Sequence, residues 1–224
     1  MPIELTLVQK IAVWALPVLL AITVHEASHG YVARMLGDRT AEAAGRLSLN
    51  PLRHIDPVGT ILVPGLLLAL GGFLFGWAKP VPVNFRNLRH PRRDMAFVAA
   101  AGPLSNFAMA LVWALLLKLA LASSAGEGIW VGLRYMAVAG ITINLVLMVL
   151  NLLPLPPLDG GRVLNGLVSE SLAQRLDRIE PYGLVILVVL MATGLLGQIL
   201  YWPLAIAELA VFSLIGLPTA TASL

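Results

Sequence analysis

The sequence predicts an all-α polytopic membrane protein with five to six transmembrane helices, a re-entrant hydrophobic segment and a small membrane-associated β element. Hydrophobic residues make up 58% of the 224 residues and charged residues 12%, whereas soluble domains are closer to one half and one quarter. Mean hydropathy is +0.87, and several apolar stretches reach the length that spans a bilayer. The absence of cysteine excludes disulfides and thiolate metal sites.

Five stretches are predicted to be full spans: residues 8–33, 95–121, 129–153, 182–200 and 202–217. The last two are joined by little more than Tyr201-Trp202-Pro203, so a tight helical hairpin is expected. Residues 162–180 mix charges into a helical apolar pattern, which is typical of a helix on the membrane surface. The chain therefore divides into a membrane core, 1–165, and a surface helix with a C-terminal helical hairpin, 166–224.

Segment 58–76 is long enough to span, but Pro64-Gly65 and Gly71-Gly72 interrupt it. Such breaks favour a re-entrant hairpin buried among other helices. If the segment turns back, 12 of the 15 basic residues share one membrane face, which the positive-inside rule assigns to the cytosol. If it crosses, the block Lys79 to Arg93 moves to the other face and the asymmetry disappears. The twelve are Arg34, Arg39, Arg46, Arg53, Lys79, Arg86, Arg89, Arg92, Arg93, Arg162, Arg175 and Arg178.

The small β element is predicted at residues 44–56 and 78–84, as short strands or extended loops. Pro80 and Pro82 alternate with Val81 and Val83, so the missing N–H groups lie on one side and the remaining donors on the other. This pattern is typical of an edge strand. The net charge of +3 gives no indication of nucleic-acid binding, and the basic residues are better interpreted as topology markers.

The motif HEASH at the inner end of the first span carries the chemistry. His25 and His29 are four residues apart, so on a helix both imidazoles project from one face and can bind one zinc ion. Glu26 lies beside that face, where it can take a proton from water, as in the HExxH signature of zinc hydrolases. The alternative is a hydrogen-bonded cluster inside a helical bundle. Ionisable groups in a membrane interior are costly, which favours the functional interpretation.

A catalytic zinc site needs a third protein ligand, and the stretch NLLPLPPLDGGR, residues 151–162, offers one. Its three prolines unwind the end of a span, and Asp159 follows, with Gly160-Gly161 allowing a sharp turn and close approach. Asp159 is the predicted third ligand; the alternative is an N-cap of the surface helix. Asp159 and His29 must then lie at the same face, which requires segment 58–76 to turn back.

HEASH, GPLSN at 102–106 and NLLPLPPLDGG at 151–161 together resemble the site-2 protease family of intramembrane zinc metalloproteases. NPLRHIDPVGT and GWAKPVPVN resemble its compact branch without a PDZ domain. The resemblance implies that His25, His29 and Asp159 are ligands and that Glu26 is the catalytic base. It places Asn106 and Asn151 near the cleft. Asn106 would support the strand region or the site, and Asn151 would hold substrate backbone or stabilise the oxyanion.

Several alternatives stay open for the polar residues. Interhelical hydrogen bonding is the other interpretation of both asparagines. His54 is a possible residue near the site, although the stretch HIDP is more simply a helix start with Asp56 before Pro57. Val81 and Val83 are expected to pair with an extended substrate at the edge strand.

The expected activity is that of an intramembrane endopeptidase with one Zn²⁺ per chain. Its substrates are transmembrane proteins, and it lies in the cell membrane as a multi-pass protein with the active site towards the cytosol. Two other classes remain: a catalytically inactive membrane scaffold and a zinc or cation transporter. The intact Glu26 argues against the scaffold, and the scarcity of polar groups along the other spans argues against the transporter.

Overall fold

A computed structural model describes residues 5–62, 78–123 and 128–217. Every regular element in these ranges is helical. The α-helices are α1 Leu7–Met35, α2 Thr40–Ala43, α3 Pro91–Ala122, α4 Ile129–Asn151, α5 Asp159–Leu167, α6 Glu170–Ile179, α7 Gly183–Ala192 and α8 Leu195–Ile215. Single 3₁₀ turns occupy Pro51–Arg53, Phe85–Asn87 and Glu180–Tyr182, and a π-helical turn occupies Pro57–Leu62.

Four of these helices are long and apolar enough to cross a membrane: α1, α3, α4 and α8, with 29, 32, 23 and 21 residues. The first three coincide with the spans predicted at 8–33, 95–121 and 129–153. α1 begins with a capping box, in which Thr6 and Gln9 satisfy each other's backbone N–H groups. The prediction of a helical membrane protein is therefore confirmed, with four such helices in the described ranges rather than five to six.

The predicted C-terminal hairpin of spans 182–200 and 202–217 has its junction in the wrong place. α7 has ten residues, about 15 Å of helix, which is too short to cross. The break falls at Gly194, which adopts the left-handed conformation with φ +73°. Pro203 lies inside α8. A proline inside a helix forfeits one backbone hydrogen bond, whereas glycine reverses the sign of φ at no steric cost.

The predicted β element is also corrected, because no strand forms in the described ranges. Residues 78–84 have no regular secondary structure, and within the described ranges a single backbone hydrogen bond joins them to the 44–56 loop, from Lys79 N to His54 O at 3.0 Å. Pro80 and Pro82 have no N–H to extend this bond into a ladder. Most of segment 58–76, predicted to be re-entrant, lies outside the described residues.

α1, α3 and α4 pack together through small residues. The buried faces carry alanines at 21, 27, 110, 114 and 137, each at most 1% exposed, which lets the helix backbones approach closely. Trp113 of α3 covers Gly140 of α4, where a Cβ would overlap the indole ring. α3 runs antiparallel to α1, since His29 contacts Val98 while His25 contacts Asn106. It also runs antiparallel to α4, since Asn106 donates to Asn144 while Trp113 covers Gly140.

The contacts also define two ends of the bundle. The site end contains the C-terminal ends of α1 and α4, together with the chain from 78 to 91, which Arg89 N ties to Leu36 O of the α1 cap at 3.1 Å. At the far end, Lys118 Nζ donates to Ile215 O at 2.6 Å and Arg134 Nε to Ala120 O at 3.0 Å. α3 and α8 therefore end at the far end of the bundle.

Candidate functional site

The HEASH helix presents its two imidazoles to each other. His25 and His29 lie one turn apart on α1, and their Nε2 atoms are 3.1 Å from each other. His25 is 7% exposed, because α3 covers this face of α1. The motif spacing predicts that both residues lie on one face of α1. In the structure α3 packs against that face, so the two imidazoles lie between the helices.

Hydrogen bonds at the outer ring nitrogens set the tautomer of both imidazoles. The Asn106 amide donates from Nδ2 to Ala21 O at 3.2 Å and to Asn144 Oδ1 at 2.9 Å, so its Oδ1 is the acceptor for His25 Nδ1 at 2.6 Å. His29 Nδ1 lies 2.7 Å from Val98 O, which can only accept. Both Nδ1 atoms therefore carry the hydrogen, and both Nε2 lone pairs point inward.

Asp159 completes the group from the first turn of α5. The chain between α4 and α5 folds back on itself so tightly that a Cβ at Gly160 would overlap the Leu152 carbonyl, and one at Gly161 the Pro156 backbone. This turn brings Asp159 Oδ2 to 3.2 Å from His25 Nε2 and 3.3 Å from His29 Nε2. The carboxylate is 7% exposed, and its Oδ2 has no hydrogen-bond donor among the described residues.

With both rings neutral, the three inward-facing atoms are all acceptors. Each of His25, His29 and Asp159 offers one ligand atom, and the three atoms lie within 4.8 Å of one another. Buried lone pairs at such distances repel unless a cation lies between them. Two imidazole nitrogens and one carboxylate oxygen form the donor set of a catalytic zinc site with one open position. The residues therefore fit zinc.

Gly102, the first residue of the GPLSN stretch, lies against both imidazoles. A Cβ at this position would come within 2.5 Å of His29 Nε2 and 2.6 Å of His25 Cε1. Only glycine lets the α3 backbone approach the histidine pair this closely. Within GPLSN the resemblance implies a role for Asn106 alone; for Gly102 the available signal is a glycine inside a predicted span.

Glu26 lines the same cavity as the three acceptors and contacts the 78–84 segment. Its Oε2 accepts a hydrogen bond from Val81 N at 2.7 Å. The Val81 donor, predicted to be available to a substrate, is therefore used within the chain. Val83 N has no acceptor among the described residues, so it retains the property expected of an edge.

A cavity of about 350 Å³ opens in front of these groups. The 78–84 segment, α3 and the turn before α5 line it, together with Asn151 and Arg162. Asn151 Nδ2 donates to Leu147 O of its own helix at 2.9 Å. Arg162 lies over the Phe85 ring at 5.7 Å and 3.8 Å from Glu180. Arg162, one of the twelve basic residues assigned to the cytosolic face, also contributes a positive charge to the cavity wall.

His54 is not brought into the cavity. Its Nε2 bonds to Ser48 O at 2.8 Å, and its backbone oxygen accepts from Lys79 N. Among the described residues it belongs to no metal-ligating group. Asp56 accepts from Val58 N and Gly59 N, as expected of a residue that begins a helical turn.

Comparison with known proteins agrees with this geometry. The family model "Peptidase family M50" matches residues 118–194. The chain is 42% identical over 188 residues to "Putative zinc metalloprotease YwhC" of Bacillus subtilis, covering 83% of this chain and 82% of that one. It is 32% identical to "Putative zinc metalloprotease Rip2" of Mycolicibacterium smegmatis, over 82% of this chain and 70% of that one. It is also 32% identical to "Putative zinc metalloprotease Rip2" of Mycobacterium tuberculosis H37Rv, over 87% of this chain and 72% of that one. No solved structure matches the chain.

The relatives are similar over most of their own length, and the family they represent is the one that HEASH, GPLSN and NLLPLPPLDGG resemble. Zinc is also the ion that the two imidazoles and the carboxylate fit. The chain belongs to peptidase family M50, the site-2 protease family of membrane zinc metalloproteases.

Proposed function

We propose that this zinc metalloprotease hydrolyses peptide bonds within or near transmembrane segments of membrane-protein substrates. The observation that carries the proposal is the trio of inward-facing acceptors beside Glu26, at the inner end of a helix long enough to span a membrane. α3 and α4, which flank the trio, are also of spanning length. A substrate that reaches this position is itself a chain within or next to the bilayer.

The residues divide the chemistry between them. His25, His29 and Asp159 hold zinc, which when bound acts as a Lewis acid and lowers the pKa of water. The Glu26 carboxylate accepts the proton of the attacking water and returns it to the leaving amine nitrogen. Asn151 has a second amide hydrogen beyond the one donated to Leu147 O. Because it lines the cavity, this hydrogen is the proposed donor to the oxyanion.

The substrate is bound as an extended chain along the 78–84 segment. A transmembrane helix hides its peptide bonds in its own hydrogen bonds, so it must unwind before cleavage, and pairing with an exposed edge replaces part of what is lost. The Val83 N–H is the donor offered for this pairing, while Val81 N–H is held by Glu26. Small residues in the substrate ease unwinding.

The protein is placed in the cell membrane as a multi-pass protein with the site end towards the cytosol. The chain from 78 to 91, which carries part of the basic block, lies at the site end through Lys79, Val81 and Arg89. Positive charge beside spans favours the cytosolic face.

The test is cleavage of a panel of single-span proteins in proteoliposomes by wild type and by Glu26→Gln. We expect Glu26→Gln to retain zinc, because Glu26 is not a ligand, and to lower the cleavage rate by about 10²–10⁴-fold, the usual contribution of a general base. Cleavage that survives the substitution would contradict the proposal. If wild type binds the substrates without cleaving them, a scaffold is favoured. If wild type carries zinc into the vesicles, a transporter is favoured.

A second prediction concerns the substrate edge. Val83→Pro removes the N–H that has no acceptor among the described residues, and leaves the Glu26 contact in place. We expect the cleavage rate to fall about fivefold to tenfold, the effect of one lost hydrogen bond, with zinc content unchanged. Val83→Ala is the control, because it shortens the side chain but keeps the backbone N–H. Equal loss of zinc and cleavage in Val83→Pro would refute edge pairing.

A further inference from the structure

The 78–84 segment is held in place by bonds to other parts of the chain, since it pairs with no neighbouring strand among the described residues. Pro80 and Pro82 have no N–H, and the segment forms no ladder with the 44–56 loop. Arg46 Nη2 donates to Lys79 O at 2.8 Å and to Pro80 O at 3.4 Å. These two bonds attach the N-terminal part of the segment to the loop before it.

One peptide unit of this segment contacts Arg46 at one end and Glu26 at the other. The carbonyl of Pro80 and the N–H of Val81 belong to the same trans peptide, which is planar and points its oxygen and hydrogen in opposite directions. Arg46 donates to the oxygen, and the hydrogen is donated to Glu26 Oε2 at 2.7 Å. The orientation of this plane therefore determines where Glu26 finds its donor.

Arg46 has few other fixed contacts. It forms no ion pair among the described residues, and its Nε is buried without a hydrogen-bond partner there. An unpartnered buried donor carries a free-energy cost, so the guanidinium is kept in this place by its bonds to the two carbonyls. A cation on a peptide oxygen also polarises the peptide and strengthens its N–H as a donor.

We propose that Arg46 is a positioning residue for Glu26, acting through the Pro80–Val81 peptide. The inference rests on the proposed function, in which Glu26 is the base. Arg46 touches neither substrate nor metal; it orients the peptide that fixes one carboxylate oxygen of Glu26. Because Glu26 lines the cavity, this contact restricts the orientation of its carboxylate there. Nothing in the motif HEASH specifies this support, because it comes from a loop some twenty residues further along the chain.

The first test measures amide hydrogen exchange at Val81 in the full-length protein in detergent, with and without added zinc. We expect exchange in Arg46→Gln to be at least about tenfold faster, the result of losing a hydrogen bond of ordinary strength. Arg53→Gln is the matched control, because Arg53 belongs to the same loop but donates to Gly45 O. Unchanged exchange in Arg46→Gln would overturn the proposal, whether or not the protein cleaves the chosen substrates.

The second test is a double-mutant cycle on cleavage, with Arg46→Gln, Val81→Pro and the double variant. If Arg46 acts through the Val81 N–H, Arg46→Gln lowers kcat about tenfold in wild type and has no further effect once Val81 is proline. Zinc content stays at the wild-type level, and Arg46→Lys restores part of kcat. Multiplying effects in the double variant, or zinc loss that parallels the loss of kcat, would assign Arg46 a merely structural role.

The two proposals fail in different ways. If Glu26→Gln cleaves as well as wild type, the proposed function is contradicted. The hydrogen-exchange experiment then still shows whether Arg46 orients the Pro80–Val81 peptide. If wild type cleaves and Glu26→Gln is inactive, the proposed function is supported. If Arg46→Gln then behaves like Arg53→Gln, the proposed role of Arg46 is contradicted.

Discussion

The Asn106 side chain connects three helices at the centre of the site. Its amide donates to Ala21 O of α1 and Asn144 of α4, and its oxygen accepts from His25 Nδ1. Asn144 in turn donates to Gly140 O. These donors and acceptors together fix the direction of every bond. As a consequence, His25 Nδ1 carries the hydrogen, and the Nε2 lone pair of the neutral ring points towards the proposed metal position. Partners of this kind orient metal ligands and raise their basicity.

Gly102→Ala tests how closely α3 must approach the histidines. The added Cβ would lie within 2.6 Å of both imidazoles, and neither ring can move without losing its bond to Asn106 or Val98. We expect zinc affinity to fall about tenfold or more, measured by competition with a chelator. Gly132→Ala in α4 is the matched control, because a Cβ there meets nothing within 4 Å. Equal affinity in the two variants would contradict the packing argument.

At this scale the sequence predicts the candidate ligands and base but not the contacts that support them. His25, His29 and Glu26 follow from motif spacing, and Asp159 follows from the need for a third ligand. The role of Gly102 depends on how deeply α3 packs into α1, and that of Arg46 on a contact across 33 residues. No local pattern in the chain encodes either distance.

At the scale of elements, a buried carboxylate connects the end of α1 to the chain that follows the cavity. Asp38 is fully buried. Its oxygens accept from Thr40 N and Oγ1, from Asn84 N at 2.7 Å and from Asn87 Nδ2 at 3.0 Å. Burial raises the pKa of Asp38, but these hydrogen bonds outweigh it and hold the pKa below its usual range. Asp38 thus fixes the C-terminal end of the 78–84 segment, as Arg46 fixes its beginning.

Asp38→Asn is expected to lower the free energy of unfolding at pH 7 by about 1.5–3 kcal/mol, the range for hydrogen bonds to a charged group. Because the folded-state pKa of Asp38 is depressed, its contribution is present above the unfolded pKa of about 4 and is lost as the pH falls through the folded value. The difference between wild type and Asp38→Asn should therefore shrink under acid conditions. Denaturant unfolding in detergent at several pH values measures it; a pH-independent difference would contradict the charge argument.

The C-terminal helices show where sequence patterns fail for elements. The sequence predicts a break at Tyr201-Trp202-Pro203, yet α8 continues through it and the chain breaks at Gly194. Hydropathy could not decide between them, because the whole stretch is apolar. A left-handed glycine interrupts the helix completely, whereas proline removes one hydrogen bond that surrounding groups can tolerate. The three earlier spans were predictable because charged or polar turns separate them.

At the scale of the whole molecule, the chain places its chemistry and the 78–91 basic region at one end of the bundle. Both flanks of segment 58–76 lie there, since Lys79 N donates to His54 O. Lys118 and Arg134 lie at the far end, where each donates to a backbone carbonyl. The basic residues of the 78–91 region therefore lie on the side of the bundle that carries the site, while its orientation in the membrane stays a prediction.

The orientation is testable because the chain has no cysteine. Single cysteines at Ser171, exposed on α6, and at Ile129, 83% exposed at the start of α4, report the two ends. We expect a membrane-impermeant maleimide to label Ile129→Cys in intact cells and Ser171→Cys only after permeabilisation. The reverse pattern would place the site end outside the cell.

The mutual arrangement of the three ligand atoms has a consequence for the life of the protein in the cell. His25 and His29 come from the first long helix and Asp159 from a short one that follows the third, so a bound ion ties together parts of the chain made at different times. Without it, two lone pairs and a negative charge push these parts away from each other. We therefore expect metal supply to be a step in the maturation of the enzyme. Newly made copies in zinc-starved cells should be degraded sooner than metal-loaded ones.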